Sequence, residues 1–110
     1  MAYGKAIAAL ADPTRLQVFE KLRKGPAAVG TLAQGLRVSR PAVSQHLKVL
    51  EGAGLVEHRS RGTRNLYAVA PAGLAPLQRW LTETWDDTLG AFAAYVEQHE
   101  KNPEASEEEP

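Results

Sequence analysis

The stretch Ser39-Arg-Pro-Ala-Val-Ser-Gln-His-Leu-Lys-Val-Leu-Glu-Gly-Ala-Gly-Leu-Val56 decides the fold. Ser39 suits an N-cap, where its hydroxyl accepts from a free amide of the first turn. Arg40 and Pro41 follow in that turn, where the missing amide hydrogen of proline costs little. Val43, Leu47 and Leu50 recur at i, i+4 and i+7, so one stripe of a helix is buried. At about 100° per residue, Pro41, Gln45 and Lys48 point the opposite way, with Ser44 on the flank. Gly54 supplies a left-handed stop, and Leu55 is placed to pack back on the helix end. A short helix that is apolar beneath and carries Ser, Gln and Lys above suits the major groove of duplex DNA.

Working outward, Leu55-Val-Glu-His-Arg-Ser60 and Asn65-Leu-Tyr-Ala-Val69 are strand-like, joined by Arg61-Gly62-Thr63-Arg64. Glycine between short apolar runs signals a hairpin. Arg59, Arg61 and Arg64 crowd its tip, and a basic hairpin after such a helix is a wing, suited to phosphates or a minor groove. An ordinary solvated turn is the bland alternative, but three arginines within six residues favour the wing. The predicted DNA-binding residues are therefore Ser39, Arg40, Pro41, Ser44, Gln45 and Lys48 on the helix, with Arg59, Arg61, Thr63 and Arg64 on the wing. Gln45 is the best base reader, since its amide can bond N6 and N7 of adenine together. Ser39, Arg40, Ser44 and Lys48 suit phosphates or bases at the groove edge. Pro41 either touches a thymine methyl or merely shapes the helix start. His46 reads as a partly buried structural histidine, and His58 as sheet surface or a minor DNA contact. No histidine has a plausible catalytic partner, so an enzyme is not expected.

Composition agrees once the chain is split. The formal net charge of the 110 residues is +0, which alone would argue against a nucleic-acid partner. Residues 1–64, however, hold 11 Lys/Arg against 4 Asp/Glu, a balance of +7, and residues 65–110 hold 2 against 9, a balance of −7. The positive half contains the helix and the wing, so the local field is basic where it must be. With no cysteine, the chain has no disulfide, thiolate metal site or thiol switch. No apolar run approaches the ~20 residues needed to span a bilayer. Ala6–Ala11 is too short for a signal peptide and leads straight into a capped helix. A cytoplasmic protein without a membrane partner is expected.

The flanks complete the architecture. Tyr3 to Leu10 forms a short first helix with Tyr3, Ile7 and Leu10 on one side. Asp12-Pro13 marks a sharp start for a second, which carries Leu16, Phe19 and Leu22 inward and ends at Gly25-Pro26. Val29 to Gly35 fits a third helix, with Leu32 and Ala33 toward the core, and Gly35-Leu-Arg-Val-Ser39 is the turn of a helix-turn-helix. From Pro71, Leu74, Leu77, Leu81, Trp85, Leu89, Phe92 and Val96 step by three or four residues along one long amphipathic helix. Trp80 and Tyr95 widen the stripe. Pro76 belongs to its first turn or divides a short lead-in from the main helix. So wide a stripe exceeds what one small core requires. Pairing of the first and last helices with a second copy is the economical solution, and folding back over its own domain is the alternative. The predicted dimer contacts are Tyr3, Ile7, Leu10, Leu81, Trp85, Leu89, Phe92 and Val96. Trp80 and Trp85 are expected in dimer core rather than in a small-molecule pocket. The domain is expected over residues 1–101, followed by a disordered acidic tail over 102–110. The fold class is thus mostly α with a small β-hairpin wing.

Ala9-Leu-Ala-Asp-Pro-Thr-Arg-Leu16 and the Ser39–Val56 stretch resemble the ArsR/SmtB family of bacterial winged-helix repressors, over roughly residues 5–100. Gly25-Pro-Ala-Ala-Val29 and Trp80-Leu81 with Trp85 resemble a branch that lacks metal sites, often encoded beside SRPBCC-fold proteins. The resemblance implies a homodimer, joined through its first and last helices, that binds an inverted-repeat operator and blocks transcription. It leaves room for a small-molecule or protein inducer that the sequence does not identify. The family's thiolate site needs cysteines that are absent here. Its other common site pairs Asp-x-His on the last helix with His-x-x-Glu/His further along. In register, this chain has Asp86, Thr88, His99 and Asn102, so two ligands are kept and two are lost. Four-coordinate zinc needs a full donor set; Asp87, Glu97 and Glu100 nearby offer only a weak accidental site. No metal or other cofactor is expected. The competing reading is a winged-helix protein-interaction module that has left DNA behind.

Overall fold

The computed structural model describes residues 3–101. The elements run α1 (Gly4–Leu10), α2 (Pro13–Leu22), α3 (Val29–Gln34), α4 (Arg40–Gly52), β1 (Val56–Arg61), β2 (Arg64–Val69) and α5 (Pro71–Lys101). The predicted tail over 102–110 lies outside the described residues. Contacts divide the chain into two compact units, one up to Gln78 and one from Arg79.

Local chemistry sets the helix ends. One carboxylate oxygen of Asp12 accepts from the amides of Thr14 and Arg15 at 2.9 and 3.0 Å, capping α2 ahead of Pro13. The Ser39 hydroxyl accepts from the Ala42 amide at 3.3 Å and caps α4. At the other end of α4, Gly54 adopts φ +78°. Its amide donates to the Glu51 carbonyl at 2.9 Å, and the Leu55 amide donates to the Leu50 carbonyl at 3.0 Å. These two bonds are the paired closure that a left-handed glycine permits after a helix. Leu55 is then folded back and fully buried.

The core of the first unit gathers Ala6 and Ala9 of α1, Val18, Phe19 and Leu22 of α2, Leu32 of α3, and Val43, Leu47 and Leu50 of α4. Leu55, Val56 and Leu77 close it. Leu16 does not point inward as expected: it is 41% exposed, and Val18 takes the buried place. The reason is angular. Val18, Phe19 and Leu22 define a direction from which Leu16 lies about 110° away and Arg15 only about 15°. Arg15 accordingly turns its Nε to the Ala9 carbonyl at 2.7 Å and ties α2 to the end of α1.

β1 and β2 form an antiparallel pair in register from Val56 opposite Val69 to Arg61 opposite Arg64. The turn is only Gly62-Thr63, with Gly62 at φ +63° and no positive φ at Thr63. A glycine alone in that conformation at the first central position is the II′ pattern, whose twist matches the strands. Arg61 and Arg64 thus belong to the last ladder pair rather than to the turn, one residue further along each strand than expected. The hairpin is anchored at its base. Ala27 and Tyr67 exchange backbone bonds of 2.9 Å each way, and the Ala70 amide donates to Leu55 at 2.9 Å.

Pro76 lies inside α5, which runs unbroken from Pro71 to Lys101, so the short lead-in is not a separate helix. Proline there removes one backbone bond. In the first turn of α5, a Cβ on Gly73 would overlap the carbonyl oxygen of Gly54, so backbone meets backbone at that point. Among the described residues, no helix is long and apolar enough to cross a membrane.

Candidate nucleic-acid interface

The two faces of α4 separate completely. Val43, Leu47 and Leu50 have no exposed surface, whereas Ser39, Arg40, Pro41, Gln45 and Lys48 are exposed and Ser44 is half-buried. The core stripe fixes the roll of the helix about its axis, and that roll alone turns Gln45 and Lys48 outward. His46 is half-buried at the edge, the place its angle predicts. On the hairpin, Arg59, Arg61, Thr63 and Arg64 are all exposed. Arg61 and Arg64 stand directly opposite each other across the ladder, and like charges so placed repel.

The hairpin is tied to α4 by a pair that sequence reasoning missed. His58 Nδ1 lies 2.6 Å from a carboxylate oxygen of Glu51, joining the last turn of α4 to β1. His58 also faces Tyr67 across the ladder, with ring centroids 5.3 Å apart. Tyr67 is half-buried; its burial first, and the Glu51 carboxylate second, raise its hydroxyl above the ordinary 10.0. His58 therefore acts as a strut between helix and wing, a role with no local sequence signal because its partner is seven residues away on another element. An open cleft of ≈ 470 Å³ lies between α3, the start of α4 and the start of β2, with Arg40 and Arg64 in its lining.

On the second unit, Leu81, Trp85, Leu89, Phe92 and Tyr95 are exposed, and Val96 is half-buried. On α1, Ile7 is exposed while Tyr3 and Leu10 are half-buried. Trp80 is half-buried. Among the described residues, no three or more His, Asp or Glu side chains gather where a metal could bind. Asp86 and His99 sit on one unbroken helix, about 20 Å apart along its axis. His99 instead turns Nδ1 to the Tyr95 carbonyl at 2.7 Å.

A helix rolled by its core stripe so that Gln and Lys face out, followed by an arginine-tipped hairpin, defines a winged helix-turn-helix DNA-binding protein. A helix-turn-helix domain family matches residues 10–59. The chain is 50% identical over 93 residues to the HTH-type transcriptional regulator Rv2034 of Mycobacterium tuberculosis, covering 84% of this chain and 87% of that protein. Among solved structures, an ArsR-like transcriptional regulator from Rhodococcus sp. RHA1 superposes with a TM-score of 0.66 at 31% identity, over 86% of this chain and 92% of that one. The homodimeric winged helix-turn-helix DNA-binding domain of Mb0332 from Mycobacterium bovis gives 0.63 at 32% identity, over 80% and 82%. The chain belongs to the ArsR family of helix-turn-helix transcriptional regulators.

Proposed function

We propose that this regulator is a homodimeric repressor that grips an inverted-repeat operator. In this reading α4 lies in the major groove, and the wing rests on the backbone or in the minor groove. The observation that carries the reading is the split of α4: a fully buried apolar stripe with Gln45 and Lys48 outward, next to exposed Arg59, Arg61 and Arg64. Gln45 reads a base; Ser39, Arg40, Ser44, Lys48, Thr63 and the wing arginines hold phosphates and groove edges, with Pro41 at the helix start. The protein acts in the cytoplasm and needs no metal.

The second copy is argued from the α5 face. Trp85 is 64% exposed and Phe92 63%, and with Leu81, Leu89 and Tyr95 they form a row at helical spacing. So much contiguous apolar surface marks an interaction site rather than chance exposure. The homodimeric state of the Mb0332 domain supports a second copy as the occupant. In our reading the two copies pair through their first and last helices. A two-fold pair of recognition helices then calls for a two-fold operator. Release by a small molecule or a partner protein requires that it bind a DNA-incompetent arrangement more tightly, since only differential affinity shifts the equilibrium.

The test is selection of duplexes from a random pool with the purified protein, followed by sequencing. The expected product is an inverted repeat with half-sites about one helical turn apart. A folded protein that enriches no motif at low salt would instead mark a protein-interaction module.

A further inference from the structure

Gly30 is a glycine that its own backbone does not require. It lies in the first turns of α3, outside the left-handed region, where glycine is disfavoured against alanine. What it provides is room. A Cβ there would lie 3.2 Å from both Cζ and Nη2 of Arg40, and 3.5 Å from Nε. With Cζ as near as the nitrogens, the face of the guanidinium covers Gly30 rather than one edge. The covered position opens on the ≈ 470 Å³ cleft, which Arg40 shares with Thr31, Gln34, Arg64 and Asn65. No carboxylate lines that cleft, and among the described residues neither arginine makes an ion pair. Arg40, from the start of α4, and Arg64, from the wing, therefore both line one open cleft that no carboxylate lines. A planar fork with several donors suits a phosphate oxygen pair, and two forks suit one phosphate held between them.

We infer that Gly30 is a positioning residue for DNA binding: its missing Cβ lets Arg40 lie across α3 toward Arg64, so that recognition helix and wing hold a single backbone phosphodiester between them. The inference rests on the reading that the chain binds duplex DNA. It makes Arg40 a phosphate contact rather than a base reader. It also couples the angle of the wing to that of the recognition helix through the phosphate.

The experiment measures affinity for the selected duplex across a salt series, with wild type, Arg40→Ala, Arg64→Ala and the double variant. Each neutralised phosphate contributes about 0.9 to the slope of log affinity against log salt. If one phosphate is shared, either arginine still neutralises it. The single variants then lose well under half of that amount, and the double variant loses about 0.9. Losses of about 0.9 from each single and about 1.8 from the double would place the arginines on separate phosphates and overturn the inference. Gly30→Val provides the second arm. It is expected to weaken binding about tenfold, the worth of one charge-assisted hydrogen bond, and to have no effect once Arg40 is already alanine. An equal loss in both backgrounds would reduce Gly30 to a packing role. Should Gly30→Val fail to fold, as judged by its thermal melt, the arginine series decides alone. Wild-type protein that binds no duplex at low salt removes the proposed function together with this inference; additive arginines in a protein that binds remove only the inference.

Discussion

Gln45 and Arg61 are both exposed polar side chains, yet their truncation is expected to have different consequences. An amide pairing with a base edge discriminates between bases, whereas a guanidinium on phosphate does not. Gln45→Ala is expected to relax preference at one base pair by about 1–3 kcal/mol and to leave the salt slope unchanged. Arg61→Ala is expected to weaken all duplexes alike and to flatten the slope by about 0.9. Titration of single-base operator variants at several salt concentrations separates the two, and an equal loss of discrimination from both contradicts the assignment. Asp12 has a different kind of role. The Arg15 amide, chiefly, holds its carboxyl below the usual carboxylate value; desolvation opposes it, and the Arg15 charge and the Thr14 amide add to the lowering. A carboxylate with a lowered folded-state pKa stabilises the fold above its unfolded pKa, and that stability is lost as pH falls through the folded value. Asp12→Ala is therefore expected to melt at a lower temperature than wild type at neutral pH. The gap is expected to close progressively below about pH 4, as the wild-type cap protonates. A gap that is constant from pH 7 to pH 3 would show that the cap's charge is irrelevant.

At the scale of elements, the joint between α4 and α5 is the tightest backbone approach among the described glycines. Gly73 faces the Gly54 carbonyl, and neither atom belongs to a side chain that could rotate away. Gly73→Ala is therefore expected to destabilise by about 1–3 kcal/mol through overpacking. Gly52, near the end of α4, has nothing within 4 Å of its Cβ position, and Gly52→Ala is expected to stabilise by roughly 0.4–1 kcal/mol. Denaturant titration of both variants tests the contrast, and a neutral Gly73→Ala would mean that the α5 start can slide. The same joint shows which features the sequence makes legible. The cap at Ser39, the left-handed stop at Gly54 and the buried stripe of α4 are each encoded within a turn or two of chain, so the exposed Gln45 and Lys48 follow from spacing. Leu16 was misplaced because hydrophobic spacing counts apolar residues, whereas the observed stripe runs through Arg15, whose head group leaves the core to bond Ala9. The Glu51–His58 strut, the Ala27–Tyr67 bridge and the contact of Gly30 with Arg40 carry no local signal at all. Each joins residues from different elements, and each depends on how those elements pack. The outward face of α4 was thus readable, and the ties that join the hairpin to α4 and to Ala27 were not.

At the scale of the whole molecule, charge is segregated along the sequence. Residues 1–64 carry +7 and residues 65–110 carry −7, so the α4 and wing surface attracts duplex while the acidic half does not. The exposed row on α5 falls in that acidic half. Trp85 is the largest member of the row and 64% exposed, so a charge there strikes the proposed pairing surface. Trp85→Glu is expected to sediment as a monomer at concentrations where wild type sediments as a dimer. Two linked recognition helices gain effective concentration for the second half-site, commonly worth 10²–10⁴ in avidity. The variant is accordingly expected to lose affinity for the full inverted repeat by about that factor, while its binding to an isolated half-site stays near the wild-type value. The half-site measurement is the discriminating one. A monomer with half-site binding intact ties the loss to pairing through α5. A comparable loss on the half-site would place Trp85 in support of the DNA-binding unit itself, and a variant that remains dimeric would move the pairing surface away from this row.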